Sequence, residues 1–247
     1  MNVDLLIMYG TIFIIGLVLG SFYNVVALRT LSGESLAFPA SHCTTCEHQL
    51  HLLDLVPVFS WLFLRGKCRY CGAKISPIYP IGELLTASSY TLIFHYFGFT
   101  MEALIQAVFI TIMIWATMTD LKATMVPDRF VVIGLILVLS LRLISGGDII
   151  PYLIAAAVSF SAMFLLLILS GGKMGGADVK LYSLIGLSIG LQDAMGSLFY
   201  AAIIALIFQI PIIIANKGVD REKQIPFVPF ITLGVLATYV LDIFVFV

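Results

Sequence analysis

The sequence predicts an all-α polytopic membrane protein of about eight transmembrane helices, with a small polar domain inserted after the first. Three observations carry that reading. Of 247 residues, 61% are hydrophobic and only 11% charged, where a soluble domain carries about 25% charged residues. Apolar runs recur along the chain at lengths that suit a bilayer core, which needs roughly 20 helical residues. One stretch, residues 29–79, breaks this pattern as the only long polar stretch.

The apolar runs fall near 5–28, 80–99, 102–119, 130–145, 149–170, 179–191, 194–215 and 226–247. Seven spans is the alternative count, because 80–99 contains Glu83 and His95 and 179–191 is short. The first run has no Lys or Arg before it and is too long for the core of a cleaved signal peptide. Arg29 follows it directly, which places the N-terminus outside and the next segment inside. Alternating from there puts 29–79, 120–129, 171–178 and 216–225 inside, and all Lys and Arg except Arg142 lie in those segments or at their edges. The net charge of −1 says little about partners; the distribution of charge sets the topology.

Residues 29–79 hold all four cysteines and read as a separate cytoplasmic domain between the first helix, 1–28, and the remainder, 80–247. Cys43, Cys46, Cys68 and Cys71 form two Cys-x-x-Cys pairs separated by 21 residues. Two thiolates from each tight turn can close around one tetrahedral zinc, and Gly72 suits such a turn. Four thiolates leave no open coordination position, so the zinc would be structural. The other readings are redox pairs or idle thiols, and an inside location disfavours disulfides. No internal repeat stands out.

Acidic residues at membrane depth are costly and usually functional. Asp120 lies at the inner end of the third run and Asp178 at the start of the sixth, 58 residues apart in sequence but at one depth. Two such carboxylates can share a proton and hydrolyse a peptide bond, one as general base towards water and the other as acid towards the scissile carbonyl and amine. The run Gly171-Gly172-Lys173-Met174-Gly175-Gly176 before Asp178 disfavours helix. It leaves room for an extended substrate. The plainer reading makes both aspartates interfacial helix caps. Asp128, after Val126-Pro127, is a cap candidate or a helper near the site. Lys180 either offsets negative charge or marks the inner boundary.

These pieces together resemble the type IV prepilin leader peptidases, integral membrane aspartyl proteases. The likeness runs from Gly20-Ser21-Phe22-Tyr23-Asn24-Val25-Val26 and Arg29, through Ser41-His42-Cys43-x-x-Cys46, Asp54-Leu55-Val56-Pro57-x-x-Ser60-Trp61-Leu62 and Arg65-Gly66-Lys67-Cys68-Arg69-Tyr70-Cys71, to Tyr79-Pro80-x-x-Glu83-Leu84-Leu85-Thr86. It continues with Asp120-Leu121, Val126-Pro127-Asp128, Gly175-Gly176-Ala177-Asp178-Val179-Lys180 and Ile225-Pro226-Phe227-x-Pro229-Phe230.

The resemblance implies that Asp120 and Asp178 are catalytic, with Gly175, Gly176, Lys180 and Asp128 in support, and that 80–247 is the protease domain. It implies a bacterial cytoplasmic membrane location and cleavage of a short basic leader from prepilin-like precursors at the inner face. Precursors and the lipid bilayer are the expected partners, and no nucleic acid. It further implies methylation of the new N-terminal amine with S-adenosylmethionine, for which Glu83 is a candidate helper; the alternative is that Glu83 partners a nearby basic residue. The family glycine before the second aspartate is Ala177 here, which a positive φ would strain. Proteolysis of other membrane helices by the same chemistry, and a non-catalytic membrane scaffold or transporter, are the competing readings.

Overall fold

The computed structural model describes residues 3–171, 174–215 and 225–245. It is helical throughout: α1 Val3–Ser32, α2 Phe59–Phe63, α3 Ile78–Phe97, α4 Met101–Ala123, α5 Asp128–Ile144, α6 Ile150–Leu169, α7 Gly176–Ala215 and α8 Val228–Val245. Helices α1, α4, α6 and the Gly176–Pro211 part of α7 are long and apolar enough to cross a membrane on length and composition alone. Gly172 and Lys173, and the segment 216–225 expected inside, apart from Ile225, lie outside the described residues. The chain divides into two compact units, Met1–Leu92 and Ile93–Val247.

In the first unit, α1 and α3 meet through glycines four residues apart. A Cβ on Gly16 would fall 2.6 Å from the Ala87 Cα, and one on Gly20 2.7 Å from the Glu83 Cα. The two backbones therefore touch, as small residues allow between membrane helices. The hydroxyls of Tyr23 and Tyr90 lie 2.7 Å apart, and Asn24 Nδ2 donates to the Tyr79 carbonyl at 3.0 Å. Between the two helices the polar lobe folds on itself. Arg29 donates to the carbonyls of Ser35, Leu36 and Pro39, and Trp61 Nε1 donates to that of Ile75.

In the second unit α4 is the central helix, buried along most of its length from Ala103 to Asp120. It packs on α5, α7 and α8, and α7 packs in turn on α6 and α8. The runs expected at 179–191 and 194–215 are two helices that meet at a kink at Gly190, where the backbone leaves helical geometry at φ 82°, ψ 176°. A left-handed φ of this kind suits glycine and few other residues. The helix therefore breaks at a single point.

Candidate functional site

Asp120 stands in the last turn of α4 and is 6% exposed. A carboxylate there faces the negative end of its own helix dipole, which is unfavourable. Its seat comes from another helix: the Val228 amide, at the start of α8, donates to Asp120 Oδ2 at 2.9 Å. Asp120 thus occupies the positive end of α8, whose first amides lack partners within the helix. Asp178 lies in the first turn of α7, also 6% exposed. It is close enough to feel the charge of Asp120, and the Gly175 amide donates to its carboxylate. The two carboxylates expected to pair are thus both buried at one end of the second unit.

The surrounding glycines differ in their constraint. A Cβ on Gly175 would sit 3.2 Å from Asp178 Oδ2, whereas one on Gly176 would meet nothing within 4 Å. Ala177 lies in the first turn of α7, and it is not among the residues with positive φ. The alanine in place of the family glycine is therefore accommodated without backbone strain. Asp128 opens α5, where Pro127 is the N-cap residue and no side chain caps the helix. Asp128 instead accepts from Lys180 Nζ at 2.6 Å in an exposed ion pair. Glu83 is buried, and its Oε2 accepts from the Val58 amide at 2.6 Å; among the described residues it makes no ion pair.

The four cysteines converge. Their sulfurs all lie within 4.8 Å of one another, and those of Cys43 and Cys71 are 3.8 Å apart. A tetrahedral ion with bonds of about 2.3 Å to sulfur requires sulfur–sulfur edges of roughly 3.8 Å, so the cluster can hold a metal ion. Each pair sits in the same knuckle. His42 bridges Gln49 and Lys67 bridges Lys74, Glu47 N donates to Cys43 O as Gly72 N does to Cys68 O, and Glu47 and Gly72 both take positive φ, 57° and 72°. This short repeat is hidden in the sequence because only the cysteines are shared.

Amides of Cys46 and Thr45 donate to the Cys43 sulfur and bring its pKa down to about 6. The Ala73 amide favours the Cys71 thiolate too, but desolvation and the neighbouring sulfurs outweigh it and raise Cys71 to about 12. Asp54 braces the second knuckle by accepting from Arg69 Nε at 2.6 Å and Tyr70 Oη at 2.9 Å. Desolvation opposes its ionisation, yet these bonds and the His51 amide hold it below the usual carboxylate value.

Sequence reasoning missed a second polar cluster in the second unit. Arg142 binds Glu102 with two bonds, at 2.6 and 2.9 Å, and also donates to the Ser188 carbonyl. Gln106 donates to Glu102 and to Ser188, and accepts from Tyr239 Oη at 2.7 Å. The Arg142 guanidinium lies 3.7 Å over the Tyr152 ring. The cluster lines a cavity of about 430 Å³ and supplies donors for Ser188, two residues before the break at Gly190. The isolated position of Arg142 in the charge pattern was the available signal. Likewise the Ile225-Pro226-Phe227-x-Pro229-Phe230 motif leads into α8, and its backbone seats Asp120.

Fold and site together define a multi-pass membrane protein with a four-thiol lobe and a buried carboxylate pair. Residues 14–97 match the Bacterial Peptidase A24 N-terminal domain and residues 107–210 the Type IV leader peptidase family; the first stretch holds the four cysteines and the second both aspartates. The chain is 32% identical to a prepilin leader peptidase/N-methyltransferase of Bacillus subtilis, over 94% of each chain. It is 30% identical to a type 4 prepilin-like proteins leader peptide-processing enzyme of Escherichia coli, over 92% of this chain and 91% of that one. A prepilin leader peptidase/N-methyltransferase of Dichelobacter nodosus is 32% identical over 83% of this chain and 72% of its own length. No solved structure matches. The chain belongs to the type IV leader peptidase family.

Proposed function

We propose that this protein is a prepilin leader peptidase of the bacterial cytoplasmic membrane, with Asp120 and Asp178 as its catalytic pair. Its substrates are type IV prepilin-like precursors, cut between a short basic leader and the apolar helix that follows. One observation carries the assignment: two carboxylates, each 6% exposed, lie within range of each other's charge at one end of the bundle, with one of them anchored on the α8 amide. Close carboxylates share a single proton. The ionised member draws a proton from water, which attacks the scissile carbonyl; the protonated member polarises that carbonyl and then protonates the departing amine. The bare backbone at Gly175 leaves space for an extended peptide beside Asp178. The basic inner segments support placing this end of the bundle, and the cysteine lobe, at the cytoplasmic face.

The four-thiol cluster suits zinc in a structural role, since sulfur spacing and ligand number both match a closed tetrahedral site. Bound there, zinc supplies folding energy to residues 29–79, which have little core of their own. Methylation of the new amine with S-adenosylmethionine is proposed from the names of the relatives alone, and no residue is assigned to it. Glu83 serves as a positioning residue that ties the lobe to α3. Lys180 and Asp128 support the site only through their exposed pair.

The test is co-expression with a prepilin-like precursor in cells lacking their own peptidase, with precursor length and the mass of the new terminus as readouts. Wild-type protein shortens the precursor, and Asp120→Asn and Asp178→Asn, at equal membrane levels, do not. Cleavage by either variant at a rate near that of the wild type would sink the paired mechanism.

A further inference from the structure

The cysteine lobe exposes an apolar edge that its own fold does not use. Leu52, Leu53, Phe59, Leu62 and Phe63 are between 53% and 86% exposed. They belong to the turn Leu52–Asp54 and to α2, which are in contact. The edge is held open by its anchors. Asp54 is tied to Arg69, Tyr70 and the His51 amide, while Leu52 and Leu53 beside it stay in the open. Trp61 is tied by its ring nitrogen to Ile75, while Phe59, Leu62 and Phe63 around it remain exposed.

The depth of this edge is fixed by contacts inside the first unit. The Val58 amide, just before α2, donates to Glu83 in α3 at 2.6 Å, and Glu83 is level with Gly20 of α1. Val58 has φ 62°, a backbone that valine rarely adopts, so this turn is held to α3 and is not a free loop. Seventeen residues of α1 separate Val3 from Gly20, roughly 26 Å of helix, against a hydrocarbon core of about 30 Å. The α2 edge therefore lies where the core gives way to headgroups, on the lobe's side of the bilayer. Residues 55–77 carry Arg65, Lys67, Arg69 and Lys74 and no acidic residue.

We propose that Leu52–Phe63 is an interfacial membrane anchor: its leucines and phenylalanines enter the upper acyl region and the basic residues after it meet anionic headgroups. Apolar side chains at this depth combined with adjacent cations are what a surface-lying segment requires. A segment that hangs between α1 and α3 thereby becomes a lobe lying flat on the lipid, independently of the catalytic reading.

The test uses the full-length protein in nanodiscs of phosphatidylethanolamine and phosphatidylglycerol, with a benzophenone amino acid at position 53, 63 or, as control, 34. After irradiation, mass spectrometry of the labelled peptide reads what was captured. The expected result is lipid adducts at 53 and 63 in about tenfold excess over 34, with the yield falling when phosphatidylglycerol is left out. Independently, Phe63→Trp gains fluorescence that lipids brominated near the top of the acyl chain quench. Equal adduct yields at all three positions, capture of protein in place of lipid at 53 and 63, or an unquenched tryptophan would each overturn the proposal.

Discussion

Helix α4 carries Glu102 in its first turn and Asp120 in its last, and the bundle treats these two acids differently. Glu102 meets a buried arginine through two bonds and shares it with the Ser188 carbonyl, so both charges are spent on holding the helices together. Asp120 accepts from a backbone amide and lies within range of the charge of Asp178; among the described residues no basic side chain pairs with either. Buried charge that contributes nothing to packing is costly. Its presence at one end of α4, beside a neutralised cluster at the other, is the pattern expected where one end binds structure and the other performs chemistry.

The strongest way to break the comparison is to remove charge from each end in turn. Asp120→Asn or Asp178→Asn lowers cleavage about 10³-fold and leaves the thermal midpoint in detergent unchanged or higher. Arg142→Met does the reverse: it leaves Glu102 without its cation and the Ser188 carbonyl with Gln106 as its side-chain donor, and costs about 3 kcal/mol, while protein that remains folded still cuts. Precursor cleavage measured beside thermal unfolding for the three variants shows whether the two ends separate in this way.

A finer test stays at the end proposed to be catalytic. Gly175→Ala places a methyl group 3.2 Å from Asp178 Oδ2 and lowers kcat about tenfold, because small displacements of reacting groups are costly. Gly176→Ala points into open space and stabilises the start of α7 by about 0.5 kcal/mol with turnover intact. Equal loss in both variants would show that the close approach at Gly175 does not matter.

Asp54 offers a third kind of acid, its side chain covered by the lobe and paired with a half-exposed Arg69. Its folded pKa is lowered, so its contribution is present above the unfolded value of about 3.9 and is lost as pH falls through the folded value. Wild-type protein should therefore lose its advantage over Asp54→Asn below about pH 4, read as the difference in thermal midpoint between the two across a pH series. The smallest effect belongs to Lys180 and Asp128. Their pair is exposed on both sides; Lys180→Met costs under about 0.5 kcal/mol, and less in high salt.

Much of this was legible in the sequence because it is written in local spacing. The apolar runs marked the helices, the two Cys-x-x-Cys pairs marked the knuckles, and Asp120 and Asp178 stood out as acids at helix ends. What stayed hidden depends on contacts between distant residues. The Val228 amide that seats Asp120 is 108 residues away, and a backbone donor carries no residue signature. Arg142 and Glu102, 40 residues apart, are each ordinary until α4 and α5 are packed. The spans read at 179–191 and 194–215 are both present, but no local pattern showed that the kink at the single residue Gly190 joins them. Asp128 looked like a cap by position and turned out to face Lys180 on α7 instead.

Eighteen residues separate Glu102 from Asp120 on an uninterrupted helix, roughly 27 Å along its axis, close to the thickness of a bilayer core. Clamped at the far end by Arg142 and Ser188, α4 is in effect a gauge rod. It delivers its terminal carboxylate to a depth measured from the opposite face of the membrane. The place where a precursor is cut would then be set as much by how far its helix rises through the bilayer as by the residues flanking the bond.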